Sequence, residues 1–310
     1  EYDIRGIADT ELTDEVVMSV GQAFGTWLSA RGVRRATLGG DVRLSTKRIK
    51  AAAAAGMMKA GINVTDIGVV STPTFYWSMY HLDADGGLMV TGSHNPKEFN
   101  GLKVAYDKAT LWGDDIQEIM RIIKEDRMIT ADIPGSLRFA AIDEEYLDML
   151  ISKIKLGPRR PKIVCDSGNG TAGRYAPEFL RRIGCDVIEL YSEPDGTFPN
   201  HHPDPTKREN LPRLIETVIA EGADLGVGFD GDSDRIGVVD DRGEIIWGDR
   251  LMALFWQEIL PNHPGAVAIC EVKSSMALPE EVLRLGGRPI WWNSGHSLVK
   301  AKMREEKALF

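Results

Sequence analysis

The sequence is poor in cysteine, has no long apolar run and carries no excess of positive charge. Its three cysteines, Cys165, Cys185 and Cys270, lie far apart and form no Cys-x-x-Cys pair. Neither a disulfide framework nor a zinc site is indicated, and a reducing compartment is expected. No stretch approaches the roughly 18–20 unbroken apolar residues of a membrane-spanning helix. The opening residues, Glu1-Tyr2-Asp3-Ile4-Arg5-Gly6, lack the basic and apolar regions of a signal peptide. The expectation is a cytoplasmic protein without a membrane partner. Lys and Arg number 37 against 46 Asp and Glu, a net charge of −9. That argues against nucleic acid as a partner, since nucleic-acid binders present a basic face. An anionic small molecule is still allowed, provided its site concentrates positive charge locally. With 43% hydrophobic and 27% charged residues over 310 positions, the composition is that of an ordinary globular chain.

Strand and helix patterns alternate along the chain. Helical spacing runs over 14–31 and, Ala-rich, over 47–60, each stopped by a glycine (Gly32, Gly61). Strands are predicted at 36–39, 62–68, 86–91 and 101–106, with a helix at 114–126. A second unit begins near 143, with a helix at 143–154 and a strand at 162–166. The Gly-rich loop Ser167-Gly168-Asn169-Gly170 then opens a helix to about 183. A strand at 185–190, a helix at 210–221 and strands at 224–229 and 235–240 follow. The third unit holds helices at 249–260, 276–285 and 297–308, and strands at 266–271 and 288–292. The pattern predicts three successive α/β domains, 1–141, 142–247 and 248–310, with the last cut off inside a helix.

Three strings carry chemistry. Asp230-Gly231-Asp232-Ser233-Asp234-Arg235 follows an apolar strand, and its alternate carboxylates can converge on one hard cation, best Mg²⁺ where phosphate oxygens share the site. The plain alternative is a solvated acidic turn. Arg235 suits a site that holds metal and phosphate together. Thr91-Gly92-Ser93-His94-Asn95-Pro96 also leaves the end of a buried strand, where α/β sheets place their chemistry. It is no hydrolase elbow, because Asn95 stands where Gly-x-Ser-x-Gly needs its last glycine. Lys103, in Asn100-Gly101-Leu102-Lys103, is expected to begin a strand near Ser93, where a lysine can stabilise a phosphoryl group or move a proton. A solvated surface lysine is the plain alternative. In the third unit, Lys273 and His296 follow predicted strands at turns into helices, which favour anions, although turn chemistry alone explains a lone histidine. The Gly-rich loop at 167–170 matches no phosphate-binding fingerprint and reads as a tight structural turn.

Taken together and in this order, Tyr2-Asp3-Ile4-Arg5-Gly6, Thr91-Gly92-Ser93-His94-Asn95-Pro96 and Asp230-Gly231-Asp232-Ser233-Asp234-Arg235 resemble the α-D-phosphohexomutase superfamily. Asn200-His201-His202-Pro203-Asp204-Pro205 and Ser294-Gly295-His296-Ser297-Leu298 are similar to its bacterial phosphomannomutase/phosphoglucomutase branch. The resemblance runs the length of the chain. It implies α/β domains with mixed sheets flanked by helices, the third truncated and a fourth, C-terminal domain absent.

It further implies that Ser93 is the phosphorylated serine and that Asp230, Asp232 and Asp234, with the phosphoserine, ligate Mg²⁺. Arg5 and Lys103 take the flanking basic roles, with Lys103 a candidate for proton transfer. Arg235, Lys273, His296 and Tyr2 contact substrate, while His94 and Asn95 support the serine loop. The implied reaction moves phosphate between C1 and C6 of a hexose phosphate, with glucose 1,6-bisphosphate as activator and intermediate. The protein is expected to be a monomer or a weak homo-oligomer. The alternatives are a phosphoglucosamine mutase, a Mg²⁺-dependent phosphatase and a truncated, inactive phosphosugar- or metal-binding fragment. The sequence departs from relatives at 39–43, Gly-Gly-Asp-Val-Arg, a change expected to matter little. It also ends before a sugar-reading Gly-Glu-x-Ser-Gly-His loop.

Overall fold

The computed structural model describes residues 3–310, and Tyr2 lies outside them. The chain divides into two compact units, Asp3–Glu244 and Ile245–Phe310.

The larger unit contains two sheets. The first is built from β1 (Ile4–Ile7), β2 (Arg35–Gly40), β3 (Asn63–Val69), β4 (Gly86–Val90), β5 (Phe99–Tyr106), β6 (Ala109–Thr110) and β7 (Leu137–Phe139). Its order is β1-β5-β4-β2-β3-β7, with β6 beside β5. Strands β4, β2, β3 and β7 run parallel, whereas β5 is antiparallel to both β4 and β1, so the sheet is mixed. Every residue of β4, Gly-Gly-Leu-Met-Val, is buried, as expected of a central strand covered on both faces. The helices around it are α1 (Asp14–Ser29), α2 (Thr46–Lys59), α3 (Thr72–His81) and α4 (Asp114–Lys124).

The helix α1 starts where Thr13 accepts the Val16 N–H. It packs on α2 through glycines. A Cβ on Gly21 would lie 2.4 Å from the Ala53 carbonyl oxygen, and one on Gly56 2.1 Å from that of Met18. The two backbones therefore touch where a side chain cannot fit. This contact buries Phe24, Leu28, Ile49 and Met57 in the main core.

The second sheet runs β11-β10-β8-β9, where β8 is Lys162–Asp166, β9 Asp186–Leu190, β10 Leu225–Phe229 and β11 Ile236–Asp240. β8 is parallel to β9 and β10, and β11 is antiparallel to β10. Helices α5 (Asp143–Lys153), α6 (Ala176–Arg182) and α7 (Pro212–Glu221) belong to this half. In the smaller unit, a two-residue strand β12 (Ile245–Ile246) precedes α8 (Gly248–Ile259), β13 (Val267–Glu271), α9 (Ala277–Arg284), β14 (Arg288–Trp292) and α10 (His296–Glu306). There β13 and β14 pair in parallel over a core centred on Trp256, Leu260, Leu278 and Val282.

The structure corrects the sequence reading at four places. The stretch before residue 85 that received no element forms α3, capped by Ser71, which accepts the Thr74 N–H, with Pro73 in its first turn. Its threonines and aromatics are weak helix formers, so the cap and the packing of Phe75 and Met79 decide it. Lys103 does not begin a strand: β5 starts four residues earlier, at Phe99, because β1 extends the ladder from Ile7 opposite Phe99 to Ile4 opposite Leu102. The loop at 167–170 does not open one helix to 183. A 3₁₀ turn, Thr171–Arg174, intervenes before α6, where Gly173 passes so close to Ser192 that a Cβ would lie 1.9 Å from its carbonyl oxygen. The Trp291-Trp292 pair alternates in a strand, a pattern that places at least one ring in the core, yet neither ring is fully buried: Trp291 is exposed and Trp292 lies under the Lys302 ammonium at 4.6 Å.

The α1–α2 contact yields a stability prediction. Gly56→Ala should lower the unfolding free energy by about 1–3 kcal/mol through overpacking, read as a shift in the urea midpoint. An unchanged midpoint would show that the helices separate without cost.

Candidate active site

The serine loop leaves the carboxyl end of β4. Because β2 runs parallel with Gly40 opposite Val90, the segment after β2 emerges beside it. Asp41 reaches across: one carboxylate oxygen accepts the Gly92 N–H at 3.0 Å, the other the Arg43 N–H at 3.0 Å and the Thr46 hydroxyl at 2.6 Å. The Thr91 hydroxyl oxygen accepts the Ser93 N–H at 2.8 Å. Ser93 is 1% exposed and has a φ of +50°. That left-handed conformation costs a non-glycine residue about 1–2 kcal/mol, so surrounding contacts must hold it. Arg5 sits on β1 opposite Gly101 of β5 and donates to the Gly92 carbonyl at 3.2 Å and to the Asp3 carboxylate at 2.8 Å.

The acidic loop leaves the carboxyl end of β10 and meets the serine loop directly. A Cβ on Gly231 would lie 2.6 Å from the Ser93 carbonyl oxygen. The Ser93 hydroxyl lies 2.9 Å from Asp230 Oδ2 and 3.1 Å from His94 Nδ1. Asp230 Oδ1 accepts the backbone N–H groups of Asp234 and Arg235, each at 3.0 Å. Asp232 Oδ2 accepts the Thr72 hydroxyl at 2.7 Å and the Thr91 hydroxyl at 3.1 Å, and lies 3.1 Å from the Lys103 ammonium. Lys103 also donates to Asp234 at 2.6 Å.

Burial makes these charges interdependent. Asp230 and Asp232 are fully buried, and Lys103 is 2% exposed. Buried charges persist only when paired. Burial by itself would pull the Lys103 ammonium down, but Asp232 and Asp234 hold it well above its ordinary value. Burial likewise opposes ionisation of Asp232, yet Lys103 and the Thr72 hydroxyl keep its carboxyl below the usual range. Asp230 is pushed the other way, upward, by burial and by the neighbouring Asp232 and Asp234. Burial, together with the positive charge of Arg235, pulls His94 down to about 4, so its imidazole is neutral at pH 7.

This donor set fits a hard divalent cation. One oxygen from each of Asp230, Asp232 and Asp234 comes within 4.8 Å of the others, and Asp232 Oδ1 is buried with no hydrogen-bond donor on it. Carboxylate oxygens crowded this way suit Mg²⁺. Thus Arg5, Ser93, His94, Asn95, Lys103, Asp230, Asp232, Asp234 and Arg235 all belong to the larger unit. Lys273 and His296 belong to the smaller one. There Lys273 is exposed two residues past β13, and His296 opens α10 after Gly295, whose N–H donates to Glu271 at 3.3 Å.

Family models described as "Phosphoglucomutase/phosphomannomutase, alpha/beta/alpha domain" I, II and III match residues 1–129, 144–243 and 247–310. A phosphoglucomutase from Neisseria gonorrhoeae is 40% identical over 99% of this chain and 67% of its own length. The chain belongs to the phosphoglucomutase/phosphomannomutase family. A phosphomannomutase/phosphoglucomutase from Pseudomonas aeruginosa is 42% identical over 99% of this chain, which spans 66% of that relative. A crystal structure of a phosphoglucomutase/phosphomannomutase family protein from Burkholderia thailandensis superposes with a TM-score of 0.94. It is 40% identical, covering 99% of this chain and 68% of its own.

Within this centre, several residues escaped the sequence reading. Asp41 and Arg43, in the segment expected to matter little, brace the serine loop. Thr72 and Thr91 hold Asp232, and simple threonines give no signal in a sequence. The loop at 167–170 touches the acidic loop: the Thr171 N–H donates to the Gly231 carbonyl at 3.1 Å, and its hydroxyl lies 2.8 Å from that of Ser233. His201 steadies this loop. Its Nε2 lies 3.0 Å from Asp166 Oδ2, and its Nδ1 lies 3.0 Å from the His202 carbonyl oxygen. Both ring nitrogens thus face acceptors, which favours the imidazolium.

Two predictions arise here. Asp232→Asn should weaken Mg²⁺ binding at least about tenfold, since even indirect support of a ligand is worth that much. Calorimetric titration checks it, and an unchanged affinity would remove Asp232 from the ligand set. Burial lowers the His201 pKa, but the Asp166 carboxylate more than restores it, leaving it above the ordinary value. A raised folded-state value gives stability that is complete below the unfolded pKa, about 6.5, and is lost as pH rises through the folded one. Wild-type stability should therefore decline as pH rises from about 6.5, and His201→Gln should flatten that decline. Equal slopes in urea melts at several pH values would contradict it.

Proposed function

We propose that this chain carries the phosphoryl-transfer centre of a phosphohexomutase that interconverts the 1- and 6-phosphates of glucose or mannose. The observation that carries the reading is the buried Ser93 hydroxyl, 2.9 Å from Asp230, in contact with an acid triad and flanked by the cations Arg5 and Lys103. A serine surrounded by acids and cations suits a phosphoryl group. In such transfers the protein mainly positions groups and neutralises charge.

In the forward step the phosphoserine gives its phosphoryl group to the free hydroxyl of the sugar phosphate. The bond from phosphorus to Ser93 Oγ breaks, a bond to the sugar oxygen forms, and the hydroxyl proton ends on the Ser93 oxygen. The reverse step takes the other phosphate of the 1,6-bisphosphate back onto Ser93. Asp230, Asp232 and Asp234 would hold Mg²⁺, with an oxygen of the phosphorylated Ser93 joining them, and the ion supplies charge neutralisation to the phosphoryl oxygens. Lys103, held as an ammonium by its two carboxylates, stabilises phosphoryl charge and has a proton to give. Arg5 holds the Gly92 carbonyl and keeps a cation beside the serine. Arg235, Lys273, His296 and Tyr2 bind the substrate, with His94 and Asn95 supporting the loop.

We read the chain as three domains, 1–141, 142–247 and 248–310, acting as a cytoplasmic monomer or weak homo-oligomer with glucose 1,6-bisphosphate as activator. Among the described residues, no helix is long and apolar enough to cross a membrane. The relatives named above are phosphomannomutase/phosphoglucomutases and a phosphoglucomutase, which favours this reading over a glucosamine-phosphate mutase.

The test is conversion of glucose 1-phosphate with and without glucose 1,6-bisphosphate, alongside intact-mass measurement. The bisphosphate should stimulate turnover and leave one phosphate on the protein, and Ser93→Ala should abolish both while melting like the wild type. Phosphate retained on the Ala variant, or free phosphate as the product, would overturn the reading.

A further inference from the structure

Arg43 is a buried cation with no role in the mechanism above. Its side chain is fully buried, and it spends its donors on the backbone of the serine loop. One terminal nitrogen donates to the Ser93 and Asn95 carbonyls at 2.9 and 2.6 Å. The other donates to the Pro96 and Phe99 carbonyls at 2.6 and 3.0 Å. Its Nε lies 3.2 Å from Asp41 Oδ2, the same oxygen that accepts the Gly92 N–H. A Cβ on Gly92 would lie 2.4 Å from the guanidinium carbon, so the loop is wrapped around this group as a template. The ring of Phe198 lies over the guanidinium at 5.3 Å, and a Cβ on Gly196 would lie 2.7 Å from Arg43 Cα.

The chemistry of this arrangement is specific to arginine. A planar fork with five donors can grip several carbonyls in fixed directions, whereas a lysine is a point charge on a flexible stem. Burial works against the charge and pulls the guanidinium down, while Asp41 and Asp232 hold it ionised. What the grip secures is the strained residue: Ser93, at a φ of +50°, contributes one of the carbonyls. An oxygen that must attack and leave phosphorus in line loses rate steeply when displaced.

We propose that Arg43, fixed by Asp41, is a positioning residue for phosphoryl transfer: it holds the serine loop in the conformation that presents Ser93 Oγ to the phosphoryl group. The inference rests on the mutase reading and deepens it.

The experiment is single-turnover phosphorylation of Ser93 by glucose 1,6-bisphosphate with Mg²⁺, followed by intact mass, for wild type and Arg43→Lys. The substitution keeps the charge and removes the fork. The rate constant should fall about 100-fold, the scale of a misplacement near 1 Å, while the final phosphorylated fraction and the Mg²⁺ affinity stay at wild-type values. A merely structural role would reduce the phosphorylated fraction and leave the rate constant of the folded molecules intact, and that outcome overturns the proposal, as does an unchanged rate constant. If Arg43→Lys does not fold, Asp41→Asn is read the same way, with a slower rate at full amplitude expected and an unchanged rate contradicting. A wild-type protein that takes no phosphate overturns the mutase reading and this inference with it. A wild type that does, matched by the variants, overturns this inference alone.

Discussion

Two fully buried carboxylates, Asp230 and Asp232, stand within one cluster beside a buried serine, and the surrounding structure is organised to make that tolerable. An ionised group withdrawn from water costs several kcal/mol unless it is compensated. The compensation arrives from separate strands and loops: Lys103 from β5, Thr72 from the first turn of α3, Thr91 from the serine loop, and the N–H groups of Asp234 and Arg235. It is incomplete, because Asp232 Oδ1 receives no donor. That residual deficit of positive charge is what a divalent cation would supply. Removing any one compensating group leaves a buried charge exposed to its own desolvation cost, so the acid loop, β5 and α3 constrain one another.

The topology makes this convergence cheap to build. In both sheets of the larger unit the chemistry leaves the carboxyl ends of parallel strands, as α/β sheets generally arrange it. Parallel pairing of β2 with β4 delivers Asp41 and Arg43 beside the serine loop. Parallel pairing of β8 with β10 delivers the loop at 167–170 beside the acidic loop. Close approach then depends on glycine: Gly92 clears the Arg43 guanidinium, and Gly231 clears the Ser93 carbonyl. The net charge of −9 says nothing about the local charge beside the acidic loop, where Arg5, Arg43, Lys103 and Arg235 accompany the triad.

Much of this was legible in the sequence because it is written in short strings. The alternation of Asp230, Asp232 and Asp234 after an apolar strand announced a convergence of carboxylates, and the serine loop stood out by its place at a strand end. The elements with clean periodicity, such as α1 and β4, fell where the pattern put them. Long-range compensation was not legible. Lys103 looks like a surface lysine until β5 pairs with β4 and the acidic loop closes on its ammonium. Thr72 is one threonine among several until α3 forms, and α3 depends on a cap and on packing rather than on helix propensity. Arg43 was passed over because its four acceptors are backbone carbonyls, which no side-chain motif records.

The proposed function requires that Ser93 and the acidic loop be a single site, shared by a phosphoryl group and a cation. The most direct measurement is the Mg²⁺ affinity of the protein with Ser93 phosphorylated and with it free, by calorimetric titration of the two forms. If the site is shared, phosphorylation adds a hard anionic oxygen to the three carboxylates, and Mg²⁺ should bind at least about tenfold more tightly. Equal affinities in the two forms would contradict the account, because the cation would then be indifferent to the group it is meant to hold.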